Sequence, residues 1–298
     1  MKKTNKFRKI ILLVPLVFLT SCDYEFEDDY AFDWSSIEEL KEEDKRPVWL
    51  LKHRCNRNVG REMSDVEIGL DGGCNGVEVD IRYRKSDASL VLSHDRLGLK
   101  SRETVEEFLS LDIMKDERMN LIVFDIKEPE IISYLIDTVH EFETENNFFE
   151  INYVYSVAKL KDAAIYFPSV VSKLERNEGL CVDFHKNAYE VEALYESIDA
   201  KNCWYGDGIF IGSEAFGIKK GCCDAVDIRD QSDGESRIKK VENWTVQFKE
   251  DFYERLVNWK VDCLLLDSPL ASKVTSLMEG ARNIRVANRK DSPFENKK

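Results

Sequence analysis

The sequence lacks several features that define common functional classes. Its eight cysteines include no CxxC pair, which argues against a zinc site, and the seven after Cys22 are an odd number, which argues against a full disulfide framework. It has no surplus of positive charge: the formal net charge is −14, which argues against nucleic-acid binding by bulk electrostatics. Outside the acidic segment described below, there is no internal repeat or low-complexity tract.

The apolar run near the N-terminus, residues 10–19, is too short to span a bilayer. Five basic residues precede it and Leu19-Thr20-Ser21-Cys22 ends it, which looks like a bacterial lipobox. This pattern predicts a signal peptide over residues 1–21 and lipidation of Cys22. The alternative is an ordinary secretion signal followed by an unrelated cysteine. With more than one acyl chain, anchoring is stable, and we expect a location in the bacterial cell envelope, on the outer rather than the inner membrane.

Residues 22–46 form a second predicted segment, an acidic tether that ends in a short helix. Residues 23–46 hold eleven acids and three bases. Without residues 1–21, which carry five bases and no acid, the net charge becomes −19, from 38 basic and 57 acidic residues. An acidic membrane surface would repel such a chain.

The remaining chain, residues 47–298, has the pattern of a single α/β domain. Eight apolar, β-rich runs alternate with segments of helical spacing, such as PEIISYLIDTVHEF, which predicts a (β/α)8 TIM barrel. We expect a monomer. The runs are VWLLKH (48–53), GVEVDIRY (76–83), LIVFDIK (121–127), INYVYSV (151–157), GLCVDF (179–184), GDGIFIG (206–212), VENWTV (241–246) and VDCLLLD (261–267).

Acidic residues occur two apart near the ends of these runs, where barrels place their chemistry. Glu78 and Asp80 share one face of the second run, opposite its valines, and Asp125 lies near the end of the third. Like charges repel one another and burial is costly for each of them, so we expect a bound cation. An oxygen-only set suits Mg²⁺ or Ca²⁺.

Four further side chains at strand ends extend this site. His53 and His94 can transfer protons or act as nucleophile because their pKa lies near neutrality. Lys127 offers a fixed positive charge to a phosphate, and Trp244 lies late in the seventh run. Together they indicate metal-assisted attack on a phosphodiester.

Each of these residues also has a structural interpretation. A single histidine at a strand end is often structural, Lys127 could simply neutralise Asp125, and Trp244 could be a core residue. His140 and His185 complete the four histidines, and His185 also follows a predicted strand.

Short motifs in this order resemble a known superfamily. The HR pair at 53–54, GVEVDI with the HD pair at 94–95, and VFDIK resemble the glycerophosphodiester phosphodiesterase-like superfamily. The chain is more similar to the sphingomyelinase D/phospholipase D family of the dermonecrotic-toxin type within it. The similar segments are RPVWLLKH (46–53), IVFDIK (122–127), WYGDGI (204–209), WTVQ (244–247) and RVANRKDSPFE (285–295).

The resemblance implies a role for each candidate residue. It implies His53 and His94 as the catalytic pair, with Lys127 and Trp244 at the substrate. It also implies one Mg²⁺, with Glu78, Asp80 and Asp125 as its ligands. In the family a choline-type phospholipid, sphingomyelin or a lysophospholipid, loses its headgroup while a lipid hydroxyl attacks phosphorus to give a cyclic phosphate.

The chain also departs from the family pattern at sites that shape substrate binding and loop rigidity. The loop after His94 and the segment after WYGDGI lack the family's cysteines. Gln247 replaces an acid, Asp267-Ser268-Pro269 replaces Asn-Tyr-Pro, and Phe294 replaces tryptophan. The headgroup preference is therefore not carried over.

Three functions fit the sequence. The first is a lipid-anchored, Mg²⁺-dependent phospholipase D-like phosphodiesterase acting on a phospholipid or related phosphodiester. The second is a glycerophosphodiester phosphodiesterase acting on small deacylated diesters, although that branch usually has Glu at the position of Asp125. The third is a catalytically inactive lipoprotein that binds a ligand on a barrel scaffold.

Overall fold

A computed structural model gives the structure of residues 31–148, 150–208, 217–231 and 235–295. The predicted signal peptide (residues 1–21), the lipidation site Cys22 and the start of the tether lie outside these described residues. The predicted sixth strand, GDGIFIG (206–212), also lies outside them from residue 209 onward. Among the described residues, no helix has both the length and the apolar character needed to cross a bilayer.

Eight parallel strands form a closed (β/α)8 barrel, as the sequence predicts. The barrel closes at its first strand, where Leu51 lies between Gly76 of the second strand and Leu265 of the last. An antiparallel hairpin strand and a short parallel edge strand are added to it. In chain order the strands are β1 (Arg46–Lys52), β2 (Gly76–Arg84), the hairpin strand β3 (Ser89–Leu92), β4 (Leu121–Ile126), β5 (Asn152–Val157), β6 (Glu178–Val182), β7 (Cys203–Gly208), β8 (Ile238–Val246), β9 (Cys263–Leu266) and the edge strand β10 (Ile284–Val286).

Each of the eight predicted runs overlaps one barrel strand. β7 begins at Cys203, before the predicted start at Gly206, because the buried residues Cys203, Trp204 and Tyr205 also belong to the strand. The sequence GVEVDIRYRKSDASLVL (76–92) forms an antiparallel hairpin of β2 and β3. β10 was not predicted, since three residues are too few to show an alternating pattern.

Helices cover the outside of the barrel. Two of them begin with a capping box, in which Ser64 pairs with Glu67 and Thr104 with Glu107, and these pairs satisfy free N–H groups of the first turn. The seventh helix continues as a π-helix over Glu254–Asn258. The α-helices are α1 (Asp65–Gly72), α2 (Val105–Leu109), α3 (Ile132–Asn146), α4 (Leu160–Tyr166), α5 (Ala188–Ser197), α6 (Ile218–Gln231), α7 (Lys249–Tyr253), α8 (Ser268–Ala271) and α9 (Val274–Leu277).

The interior of the barrel is filled by an apolar cluster at the N-terminal ends of its strands. Trp49 and Trp204 pack edge to face there, with ring centroids 6.3 Å apart. The C-terminal tail covers this end: Phe294 joins the cluster, and the Trp204 indole N–H donates to the Pro293 carbonyl over 2.9 Å. The members of the cluster are Trp49, Leu51, Leu121, Val123, Val154, Cys181, Trp204, Cys263, Leu265, Ala287 and Phe294.

The described end of the predicted tether is packed on the barrel domain. Phe32 stacks on Tyr253 with ring centroids 4.6 Å apart, and Trp34 is buried beside them. The Leu40 amide donates to the Arg282 carbonyl. The compact unit therefore begins at Phe32, although the sequence assigns residues up to 46 to the tether.

Candidate active site

Three carboxylates from two neighbouring strands meet inside the barrel at the C-terminal ends of the strands. Glu78 and Asp80 alternate with outward-facing Val77 and Val79 on β2, and the register of β2 with β4 puts Asp80 beside Asp125. One oxygen of each carboxylate lies within 4.8 Å of the other two. Three oxygen ligands at this separation could hold one divalent cation.

The loop after β1 supplies hydrogen bonds to two of these carboxylates. The Arg54 amide donates to Glu78 Oε2 over 2.7 Å, and the Asn56 side-chain amide donates to Asp80 Oδ2 over 2.6 Å. Glu78 Oε1 is buried without a hydrogen-bond partner. Burial, and then the charges of Asp80 and Asp125, raise the pKa of Glu78 well above its usual value. An unpartnered carboxylate oxygen beside two other carboxylates fits a bound metal ion.

The Lys127 ammonium lies between two of the carboxylates. It is 2.6 Å from Asp80 Oδ1 and also contacts Asp125 Oδ2. Burial opposes its charge, but Asp125, Asp80 and Glu78 outweigh burial and raise the pKa of Lys127. The contact with Asp125, which the sequence left as an alternative, is present, and the ammonium also faces the cavity described below.

His53 follows β1 and is held by a carboxylate that the sequence did not select. Its Nδ1 lies 2.8 Å from Asp267 Oδ1, and the Gln247 side-chain amide donates to the other oxygen of Asp267 over 2.5 Å. We infer a proton on Nδ1, since Asp267 accepts there, which leaves Nε2 as the basic nitrogen. Burial lowers the pKa of His53, and Asp267 opposes this effect.

The second predicted histidine lies across the same cavity. His94 follows β3, its side chain is 43% exposed, and its Nδ1 lies 3.1 Å from Asp95 Oδ1. A cavity of about 150 Å³ is lined by both histidines. Its lining also includes Glu78, Asp125, Lys127 and Trp244. Asp80 does not line the cavity itself, but its carboxylate contacts the Lys127 ammonium. The structure thus brings together all seven residues selected from the sequence, while their catalytic and ligand roles stay predictions.

The opposite wall of this cavity holds polar residues that the sequence analysis missed. Ser156 Oγ and Glu242 Oε2 are buried without partners, and Asp183 accepts a hydrogen bond from the Trp244 indole N–H. Burial, and then the charge of Asp125, raise the pKa of Glu242 to about 8. Glu242 lies two residues before Trp244, so the alternation of β8 could have identified it.

The other two histidines do not line this cavity. His140 Nε2 lies 2.9 Å from Glu178, a buried residue at the start of β6, and therefore near the opposite end of the barrel. His185 pairs with the exposed Glu190 over 2.7 Å. The seven cysteines among the described residues are all free, and six of them are buried.

Comparisons with known proteins agree with this architecture. The family model described as "Dermonecrotic toxin SPH" matches residues 43–294. A glycerophosphodiester phosphodiesterase from Parabacteroides distasonis ATCC 8503 superposes with a TM-score of 0.50 at 14% identity, over 79% of this chain and 99% of that one, which shows a shared fold. A protein from Aquifex aeolicus VF5 has 12% identity and a TM-score of 0.47 over 88% of this chain and 98% of its own, too weak a similarity to add to this. A search of curated protein sequences gave no significant match.

Proposed function

Because the chain belongs to the dermonecrotic toxin SPH family, and is therefore a phospholipase D-like phosphodiesterase, we propose that it cleaves the headgroup from sphingomyelin or a lysophospholipid with one Mg²⁺ and forms a cyclic phosphate. The observation that carries the proposal is the cavity in which two histidines face three clustered carboxylates and a lysine. A cation held by such carboxylates can polarise a phosphoryl oxygen, and nearby histidines can transfer the protons of the attack.

In this proposal each side chain has one task. Glu78, Asp80 and Asp125 would hold the cation, which neutralises charge on the phosphoryl oxygens. His53 Nε2 takes the proton of the lipid hydroxyl as its oxygen bonds to phosphorus. His94 donates a proton to the headgroup oxygen as the bond between that oxygen and phosphorus breaks. Lys127 and Trp244 line the substrate site.

The distribution of exposed apolar side chains supports a lipid substrate. Of the eight large hydrophobic residues exposed among the described residues, six lie on the face where strands end in loops, around the mouth of the barrel. Leu97, at 83%, is the most exposed of them. Apolar side chains around a site often mark a membrane or lipid contact. The six are Val59, Met63, Leu97, Phe184, Tyr189 and Phe248.

We propose the same arrangement of the whole molecule as the sequence predicts: a lipidated Cys22 that anchors the enzyme to the membrane of the bacterial envelope, outer rather than inner. The acidic segment after Cys22 and the apolar run before it support this proposal.

A glycerophosphodiester phosphodiesterase is the second candidate, and one observation favours it. A larger pocket of about 450 Å³ adjoins both histidines, and every residue that lines it except Pro269 is polar or charged. Such a pocket suits a small, water-soluble diester.

Phosphorus NMR separates the candidates. The full chain is incubated with sphingomyelin, lysophosphatidylcholine and glycerophosphocholine, with and without EDTA. A cyclic-phosphate signal that EDTA abolishes supports the first proposal, and glycerol phosphate from glycerophosphocholine supports the second. No turnover of any diester would contradict both.

A further inference from the structure

The larger pocket beside the two histidines is rich in arginine. It lies among the loops that follow β1, β3 and β9, and it shares His53 and His94 with the smaller cavity. Its basic residues are Lys52, Arg54, Arg57, Arg61 and Arg102. This concentration of positive charge is unexpected in a chain whose net charge is −14.

Most of this charge is not used to hold the fold together. Within the described ranges, the guanidinium groups of Arg54, Arg57 and Arg102 have no hydrogen bond or ion pair, and Arg102 Nε is buried without a partner. Arg61 has one contact, 3.6 Å from Asp65. By contrast, Arg285 is paired with the buried Asp291 at 2.6 Å.

The pocket also contains Asp65, Asp95 and Asp267, but among the described residues only Asp65 pairs with one of these arginines, Arg61. Arg57 and Arg102 also border a groove that carries Glu103, Glu106 and Glu107, yet in the described part of the chain no ion pair joins the two sets. Arginines that lie close together repel one another unless an anion lies between them. A guanidinium group binds phosphate and carboxylate oxygens through two parallel hydrogen bonds.

The two sides of the mouth therefore differ in charge. The smaller cavity carries Asp183 and Glu242 on its far wall, and the larger pocket carries the arginines, with both histidines between them. A diester held at the histidines would direct one of its two substituents into the arginine-rich pocket.

We propose that this pocket binds a second anionic group of the substrate, a phosphate monoester or carboxylate on the headgroup, through Arg57 and Arg102 with Arg61 beside them. The proposal rests on the proposed phosphodiesterase activity and narrows its substrates to lysophospholipids with an anionic headgroup, because the cationic choline of sphingomyelin offers these arginines no anionic group.

Matched pairs of lysophospholipids test it. Lysophosphatidylserine differs from lysophosphatidylethanolamine by one carboxylate, and lysophosphatidylinositol 4-phosphate differs from lysophosphatidylinositol by one phosphate. The wild-type enzyme should prefer the more anionic member of at least one pair by roughly tenfold or more in kcat/KM, the size expected for a charge-assisted hydrogen bond. In the double variant Arg57→Gln/Arg102→Gln the ratio should fall towards one. Arg176→Gln, on an exposed residue before β6 at the other end of the barrel, should leave both rates unchanged.

Two results would overturn the proposal: no preference in either pair, or an equal loss on both members of a pair, which would mean that the arginines act on the scissile phosphate.

If no diester is turned over, the proposed function itself has failed, and calorimetric titration with pyrophosphate in EDTA decides about the pocket. Binding that the double variant loses and Arg176→Gln keeps supports the anion site. No binding, or binding equal in both variants, contradicts it.

Discussion

At the scale of single residues, the orientation of His53 depends on the carboxylate of Asp267. That carboxylate lies 2.8 Å from His53 Nδ1 and is itself held by Gln247. Burial raises the pKa of Asp267, but the hydrogen bonds that His53 and Gln247 make to the charged carboxylate outweigh burial. The pKa of Asp267 therefore lies below its usual value. Asp267 and Gln247 are two of the positions at which the sequence departs from the family pattern, and here they act on one another.

Removing Asp267 should therefore impair a reaction that uses His53 as base. We expect Asp267→Ala to lower kcat roughly 10–100-fold, as for other partners that orient functional histidines. Asp267→Asn, which can still accept from Nδ1–H, should keep more activity. Because Asp267 raises the pKa of His53, the acidic limb of the pH–rate profile should move to lower pH in Asp267→Ala. An Ala variant with wild-type kcat and pH profile would show that this contact has no role.

The two histidines of the cavity should be required together. We expect His53→Ala and His94→Ala each to lose on the order of 10²–10⁴ in rate, and the double variant to be little worse than the worse single one, because the two act in one step. Steady-state kinetics on the best diester measures this.

Of the two remaining histidines, His185 is the suitable control for this experiment. His140 contacts the buried Glu178, so replacing it also disturbs the fold. In the part of the chain that the structure describes, the His185 ring pairs only with the exposed Glu190. His185→Ala should therefore stay near wild type. A His94→Ala enzyme that keeps normal turnover on every diester would remove His94 from the mechanism.

At the scale of secondary-structure elements, a buried ion cluster joins three strands and a helix. Asp262, just before β9, accepts from the Val241 amide of β8 over 2.9 Å and contacts Arg229 of α6. Its other oxygen lies 3.6 Å from Arg46 at the start of β1. Burial raises the pKa of Asp262, but the charges of Arg229, Lys240 and Arg46 outweigh burial and lower it overall.

Replacing this carboxylate should destabilise the barrel. Asp262→Ala removes the buried carboxylate that balances the charges of Arg229 and Arg46, which costs about 3–5 kcal/mol of unfolding free energy, measurable by urea denaturation. Since the pKa of Asp262 is lower in the folded than in the unfolded chain, its contribution is present above the unfolded value and is lost as the pH falls through the folded one. Asp230→Ala, at an exposed partner of Arg229, is the control and should cost much less. Equal losses in the two variants would contradict this account.

The elements also show what could and could not be predicted from the sequence. Period-two alternation and the position of residues at strand ends identified the eight strands and all seven selected residues, because both are local properties of the chain. Contacts between distant segments could not be predicted. The contacts of Asp267 with His53 and of Asp183 with Trp244 depend on the register between different strands. In β8 this register shifts between Asn243 and Val246. The arginines after β1 lie in a loop, where no periodicity indicates which way a side chain points.

At the scale of the whole molecule, a divalent cation should stabilise the fold. A ligand that binds only the folded state raises the melting temperature by mass action. At a ligand concentration of 100 times Kd, the free energy of unfolding rises by about 2.7 kcal/mol. We expect the midpoint to rise with millimolar Mg²⁺ in the wild type and to rise less in Asp80→Ala. Ca²⁺ added in parallel tests the choice of metal. A midpoint that does not respond to either ion would argue against a metal at Glu78, Asp80 and Asp125.

Membrane attachment is the other property of the whole molecule that can be measured directly. We expect the full chain, expressed in a bacterium, to take up a fatty-acid label at Cys22 and to sediment with membranes. Cys22→Ser should lose both properties. Equal labelling and sedimentation of the variant would show that neither property depends on Cys22, whereas an unlabelled wild-type chain that stays in the supernatant would favour an ordinary secretion signal.

The covering of the barrel's N-terminal end by Phe294 and the tail bears on where a nucleophile can come from. Among the described residues, Trp49, Trp204 and Phe294 fill the barrel beneath the carboxylates, so solvent would reach a bound phosphodiester through the mouth. A lipid bound across the mouth would occupy that route, and its own hydroxyl would then be the nucleophile nearest to phosphorus. For the proposed lipid substrate, we therefore expect intramolecular transfer rather than hydrolysis. Turnover in ¹⁸O-labelled water should accordingly give a first-formed product without the heavy isotope.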